Sequence, residues 1–347
     1  MKKLVISVCI AAMITVLSVS CTAAKSVKKY SESKNDLSLW TDTARAKKAL
    51  INYMKTITDP SSPDFIPVEN RIAIFDLDGT LILETAPTYF DWKMFEHRVL
   101  DDPDYKATEE QLAAAHASRD EHKFPGLSAS RERMVSEAYA GMTIDEFYAY
   151  VRDYMDGEQE GFTGMKRGET FYKPMVQVVE FLISNDFTVY ISSGTDRLTV
   201  RPLVQANLNI PFSQIIGSDS TIIANTQGDL DGLSYTLNGD EEIILGGVNL
   251  IKNLQMNKVT SMIREIGVKP VLAFGNSGTD ASMINYSIKG NKYKALGFML
   301  MCDDLDREYG NIEKAEKMRF ASEKNGWIPV SMRDDWKTIY GYNVKKN

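Results

Sequence analysis

From residue 173 to residue 301 the chain alternates helix-spaced segments with short apolar runs, and that order leaves few folds open. KPMVQVVEFLISNDF reads as a helix ending in a turn, TVYISSG as a strand running into a loop, and RLTVRPLVQANL as a second helix. SQIIGS is strand-like and KVTSMIREIG helical, PVLAFGNSGTD is a strand followed by a loop, DASMINYS is helical and KALGFMLM strand-like. Helices of this length between strands mean a doubly wound, mainly parallel α/β sheet. An earlier run, RIAIFDLDGT, fits the same sheet, because four largely apolar residues leading into a loop describe a strand buried on both faces.

Two segments interrupt the alternation. From 84 to 170 the chain turns to polar helical stretches, one opened by a capping box of Thr143 and Glu146, with Ile144, Phe147, Tyr148, Val151 and Tyr154 along one face. This block reads as a helical insertion, and the flanking parts, 41–83 and 171–347, as the core. Between Ser218 and Leu245, STIIANTQGDLDGLSYTLNGDEEIIL reads as strands around turns, a small β-hairpin insertion in which STIIAN and LSYTL are strand-like and Asp231-Gly232 is the hairpin signal between them. With 347 residues, 44% hydrophobic and 25% charged, the chain has enough material for such a domain plus an insertion. Its net charge of -7 argues against a nucleic-acid partner.

The N-terminus, MKKLVISVCIAAMITVLSVSCTAAK, has the basic start, apolar run and small residues of a secretory signal peptide over residues 1–21. Cys21 resembles the acylation site of bacterial lipoproteins, although those sites usually carry Leu where this chain has Ser18. Cleavage near Ala24 is the soluble alternative, and an uncleaved membrane anchor a third. The expectation is an exported protein, periplasmic or attached to a membrane only through its N-terminus, with residues 22–40 as a flexible tether. Of three cysteines, Cys9 and Cys21 fall in this region, so Cys302 is expected to be a lone buried thiol.

In an open α/β sheet, ligands bind beyond the carboxyl ends of the strands. Three such junctions carry polar residues here: Asp76, Asp78 and Thr80; Ser193 and Gly194; Asn276 and Asp280. Lys258 heads the helix before the third and is preferred to Lys252 for that reason. These groups suit phosphoryl transfer. Asp76 would attack phosphorus as a carboxylate nucleophile and form an acyl phosphate. Asp78, two residues on, would protonate the leaving oxygen and then deprotonate water. A divalent ion is needed to bring a carboxylate up to a phosphate dianion, and Mg2+ suits oxygen ligands from Asp76, the Asp78 carbonyl and a further side chain. Ser193 and the amides after it would bind phosphoryl oxygens while Lys258 offsets their charge.

FDLDGTL, YISSG, a lysine and AFGNSGTDASM, in that order, resemble the four motifs of the haloacid dehalogenase superfamily of phosphohydrolases, most of all its phosphoserine phosphatase-like and phosphorylcholine phosphatase-like branch. The resemblance spans about residues 39–340. It implies a Rossmann-like core with residues 84–170 as the cap, Asp76 as nucleophile, Asp78 as acid/base and Thr80 in the supporting, phosphate-binding set with Ser193, Gly194 and Lys258. It also implies Asp76, Asp78, Asn276 and Asp280 around Mg2+. Many relatives have Asp at the place of Asn276, which throws more of the metal affinity onto Asp280.

Glu84 resembles an acidic residue that relatives place near a substrate's amino or ammonium group, which makes it the candidate for substrate choice. Phe90 and Trp92 could pack around a cationic head group, or form the core of the cap. Arg197 and Arg201 could meet an anionic tail. His97, His116 and His122 lack zinc-ligand spacing. The second DLDG, at Asp229 and Asp231, follows NTQG rather than a strand and reads as a turn without chemistry. The function expected is a phosphomonoesterase for a small phosphorylated metabolite, with no protein partner implied. A catalytically silent surface lipoprotein that uses the fold to bind a ligand is the alternative.

Overall fold

The structure, a computed structural model, describes residues 37–347. The signal peptide, Cys21, Ala24 and most of the expected tether lie outside the described residues. The last four residues read as tether do not extend away from the body: Leu37 and Trp40 are buried, and the Trp40 indole donates to the Pro174 carbonyl at 3.0 Å and packs edge-on against Trp336. Two large apolar side chains within four residues explain why this stretch docks instead of remaining solvated.

In chain order the elements are α1 (Arg45–Ile57), β1 (Ile72–Phe75), α2 (Phe90–Leu100), α3 (Glu109–Glu121), α4 (Ala129–Glu137), α5 (Ile144–Met155), β2 (Phe162–Thr163), α6 (Lys173–Ser184) and β3 (Thr188–Asp196). There follow α7 (Arg197–Gln205), β4 (Ile215–Ala224), β5 (Ile243–Ile251), α8 (Met256–Glu265), β6 (Leu272–Gly275), α9 (Ala281–Ile288), β7 (Leu296–Met301), α10 (Ile312–Asn325), β8 (Ile328–Ser331), α11 (Met332–Asp335) and β9 (Lys345–Lys346). The main sheet runs β5-β4-β3-β1-β6-β7-β8, parallel throughout except for the antiparallel β4–β5 pair.

β1 is IAIF, buried at every position. Because successive side chains point to opposite faces, Ala73 and Phe75 join one apolar cluster, with Leu272, Phe274, Phe298 and helix residues such as Val178 and Leu182. Ile74 joins another, with Ala273, Met299, Met262, Met283 and Trp327. Both faces of the sheet are therefore covered, as a doubly wound fold requires. The rings of Phe75, Phe274 and Phe298 stack across β1, β6 and β7 at 4.2 and 4.6 Å, which fixes the register of the three strands.

Helices α2 to α5 form the insertion. α5 carries the expected capping box of Thr143 and Glu146, and α3 has one of its own from Thr108 and Gln111. The β4–β5 hairpin differs from the sequence expectation. LSYTL is not a strand; Asp231 caps a short 3-10 turn at Gly232–Ser234, and β4 pairs instead with Ile243–Ile251. The chain between the strands is held by Glu241, whose carboxylate accepts from the Asn238 and Gly239 amides. β5 also clips the insertion to the core, since Gly141 donates to the Leu245 carbonyl at 2.8 Å and Leu245 to that of Met142 at 2.9 Å. No helix among the described residues is long and apolar enough to cross a membrane.

Candidate active site

The carboxyl ends of β1, β3 and β6 meet at the centre of the sheet and bring Asp76, Ser193 and Asn276 together. Asp76 follows β1 directly, and its amide donates to the Phe274 carbonyl, which ties it to β6. The chain then turns back tightly: the amides of Thr80, Leu81 and Ile82 all donate to the Leu77 carbonyl, at 2.8–3.1 Å. Gly79 sits in this turn at φ +75, and a Cβ there would lie 1.8 Å from Asn276 Nδ2 and 2.5 Å from Glu84 Oε2. A glycine is required on both counts.

Asp76 and Asp78 are both buried, in different company. Asp76 Oδ1 accepts from Lys258 Nζ at 2.5 Å and its Oδ2 from the Thr80 hydroxyl at 3.1 Å. Burial and the nearby Asp280 charge raise the Asp76 pKa, while Lys258 and Thr80 pull it back. Asp78 Oδ2 accepts from the hydroxyls of Thr195 at 3.0 Å and Ser193 at 3.3 Å. Burial, followed by the charges of Asp76 and Asp91, pushes Asp78 up to about 7, against the lowering effect of Thr195. The two neighbours thus differ in kind: one is held against an ammonium, the other against neutral donors.

Lys258, fully buried in the first turn of α8, bridges Asp76 and Asp280, the latter at 2.8 Å, and the two carboxylates keep its pKa raised. Asp280 spends its other oxygen on the Asn276 and Ser277 amides, at 3.0 and 3.1 Å. It therefore reaches the site through Lys258 rather than through an open oxygen. Thr80 is likewise buried against Asp76, so its hydroxyl orients that carboxylate. Ser193 accepts from the Thr195 amide at 3.0 Å while donating to Asp78. β3 continues past the expected YISSG to Asp196, with a break in its register between Ser192 and Asp196, where Ser193 and Thr195 both reach Asp78.

A cavity of about 520 Å³ opens over the carboxylates. Asp76, Asp78, Gly194, Thr195, Asn276 and Ser277 line its floor. Its walls include Glu84, Tyr89, Asp91, Leu127, Arg131, Lys252, Leu254 and Lys314. Sequence reasoning missed several of these. Asp91 and Arg131, on α2 and α4, form a buried ion pair at 2.9 Å. Asn253 is wholly buried and donates to Ser192 Oγ and the Ser193 carbonyl at 3.1 and 3.0 Å, supporting the β3 end from below. Lys314, on α10, pairs with Glu84 at 2.6 Å. Lys252, the lesser candidate for the motif lysine, lines the cavity but pairs with Glu132 at 2.6 Å.

Other candidates lie elsewhere. Arg197 pairs with Asp219 and Glu265, and Arg201 reaches Tyr148 and Phe212, so both brace the fold. Trp92 is buried in the insertion with its indole on Ser118, and Phe90 packs against Tyr154. His97 and His116 face Asp101 and Asp120. Asp231 caps an exposed turn. Cys302 is a half-buried free thiol whose pKa burial raises.

The donor set suits a small hard cation. Among the described residues Asp78 Oδ1 is buried without a hydrogen-bond partner, beside the Asp76 carboxylate, whose pKa burial and the Asp280 charge raise. Among the described residues, no three His, Cys, Asp or Glu side chains converge into a ready-made cage. Mg2+ asks for less, since it keeps several waters and uses one or two carboxylates. Asn276 donates its amide nitrogen to Glu84 at 2.9 Å, which leaves the amide oxygen as the atom it would offer.

A family model described as haloacid dehalogenase-like hydrolase matches residues 73–284, more than half of the chain. Among solved structures, a protein with unknown function from Bordetella pertussis Tohama I is 14% identical, over 75% of this chain and 98% of that one, with a TM-score of 0.48. A cytosolic 5'-nucleotidase IIIB bound to cytidine is 11% identical, over 87% and 92%, with a TM-score of 0.47. A phosphoserine phosphohydrolase-like protein from Francisella tularensis subsp. tularensis SCHU S4 is 16% identical, over 72% and 92%, at 0.37. Likenesses this loose bear no weight. No curated protein matched the chain.

Proposed function

Because the chain belongs to the haloacid dehalogenase-like hydrolases, we propose that it is an exported, magnesium-dependent phosphomonoester hydrolase acting on a small phosphorylated metabolite through an aspartyl-phosphate intermediate. The observation that carries this reading is the pairing of two buried carboxylates with unlike partners. Asp76 is held by Lys258 and Thr80, Asp78 by the hydroxyls of Ser193 and Thr195, with one Asp78 oxygen unpartnered among the described residues.

In this mechanism Asp76, oriented by Thr80, attacks phosphorus and takes the phosphoryl group as an acyl phosphate. Asp78, whose pKa of about 7 keeps a large protonated fraction near neutrality, gives its proton to the departing oxygen. The resulting carboxylate then takes a proton from the water that cleaves the acyl phosphate, which returns both groups to their starting state. Lys258 offsets negative charge beside Asp76, and the Gly194 and Thr195 region borders the transferred group. Bound Mg2+, held by Asp76, the Asp78 carbonyl and Asn276, would cancel the repulsion between carboxylate and phosphate.

Export rests on the basic, apolar and small-residue order of the first 21 residues, with Cys21 as the lipidation candidate. A silent binding role is disfavoured, because a ligand-binding fold has no need to bury an intact Asp76, Asp78 and Lys258 together. The test is hydrolysis of p-nitrophenyl phosphate with and without Mg2+, followed by a panel including phosphoserine and phosphorylcholine. Asp76→Asn should lower the rate by about 10⁴-fold or more. Full activity in that variant, or none in the unaltered enzyme, would sink the reading.

A further inference from the structure

Glu84 lies four residues past Thr80, in the wall of the catalytic cavity, and it is buried. A buried carboxylate needs a compensating cation or a full set of donors. A substrate ammonium is one source; here the protein supplies its own. Lys314 Nζ stands 2.6 Å from Glu84 Oε2, Asn276 Nδ2 stands 2.9 Å from the same oxygen, and the Tyr89 hydroxyl stands 3.0 Å from Oε1. Both oxygens are therefore occupied.

Lys314 is well anchored for this role. It sits in the first turn of α10, where its amide donates to the capping Asn311 side chain at 2.9 Å. Burial would lower its pKa, yet the Glu84 charge and hydrogen bond leave it raised, so it stays cationic. The far side of Glu84 is closed by Gly79, where not even a methyl group would fit. Arg131 and Lys252, in the same walls, are each paired with a carboxylate, Asp91 and Glu132. An ammonium entering this cavity finds no free carboxylate at Glu84.

We propose that Lys314 is a specificity-determining residue: by cancelling Glu84 it selects phosphate esters whose leaving group carries no positive charge. This rests on the phosphomonoesterase reading and names the substrate class within it. The selected leaving groups are hydroxyl-bearing, neutral or anionic, and the rejected ones are amino or quaternary ammonium alcohols.

The test compares phosphorylcholine with its uncharged carbon isostere, 3,3-dimethylbutyl phosphate, which differs in charge but little in shape. The unaltered enzyme should favour the isostere in kcat/KM. Lys314→Met should raise the choline-to-isostere ratio at least tenfold, Lys314→Arg should leave it in place, and Lys314→Met/Glu84→Gln should return it toward the starting value. A ratio that Lys314→Met does not move, or that the double variant does not restore, overturns the proposal. If no phosphate ester is turned over at all, the phosphomonoesterase reading fails on its own. Dissociation constants for the same two esters, measured by calorimetry, then carry the ratio instead.

Discussion

Lys258 Nζ is enclosed between two buried carboxylates, Asp76 at 2.5 Å and Asp280 at 2.8 Å. Such a triad holds together only while the cation is present, because removing one partner leaves uncompensated charge away from water. Lys258→Met is therefore expected to cost about 3–5 kcal/mol of stability, read as a lowered urea midpoint, besides abolishing activity. An unchanged midpoint would mean that the two carboxylates find other partners. The residues of this floor were legible in the sequence because they sit next to strands: IAIF delivers Asp76, YIS delivers Ser193, and LAFG delivers Asn276. Thr195 escaped notice because its hydroxyl reaches Asp78 only through the break in the β3 register.

At the scale of elements, the turn after β1 has no slack. Gly79 combines a positive φ with contacts that leave no space for a side chain, so Gly79→Ala must displace Asn276 and Glu84 or unwind the turn. The backbone strain alone costs on the order of 1 kcal/mol, and a larger loss in kcat/KM should accompany it as Asn276 moves. A variant with wild-type kcat/KM would show that the turn is softer than its geometry. The wall of the cavity was much less legible than its floor. α10, IEKAEKMRFASEKN, carries charges around most of its circumference, and nothing local distinguishes Lys314 from its neighbours. Its meeting with Glu84, 230 residues earlier in the chain, is a product of packing α10 on β7 and β8. Asp91 and Arg131 are equally silent in sequence, since their pairing depends on how α2 and α4 cross. The expected LSYTL strand failed for the opposite reason: a local turn signal at Asp231-Gly232 suggested a tight hairpin, while the strand that pairs with β4 begins at Ile243.

For the molecule as a whole, the C-terminal tail is fastened by Tyr340, whose hydroxyl donates to Glu308. Burial pushes Glu308 up to about 7 from an ordinary value near 4.5, although the Tyr340 and Tyr309 hydrogen bonds act to lower it. The folded state then holds this proton more tightly than the unfolded chain. Its contribution is fully present below the unfolded pKa and is lost as pH rises through about 7, a swing on the order of 3 kcal/mol. Glu308→Gln should flatten the fall in stability between pH 5 and pH 8 in urea titrations; an identical slope would contradict the assignment. The same layered body holds the catalytic floor, with β1, β3 and β6 as its rigid centre and the helical insertion, clipped by β5, as its roof. The proposed mechanism requires Asp76 to become covalently phosphorylated. Enzyme mixed with p-nitrophenyl phosphate and Mg2+, quenched and reduced with borohydride, should yield homoserine at position 76 in the peptide mass spectrum. Turnover without any such conversion, or conversion at another carboxylate, would contradict it.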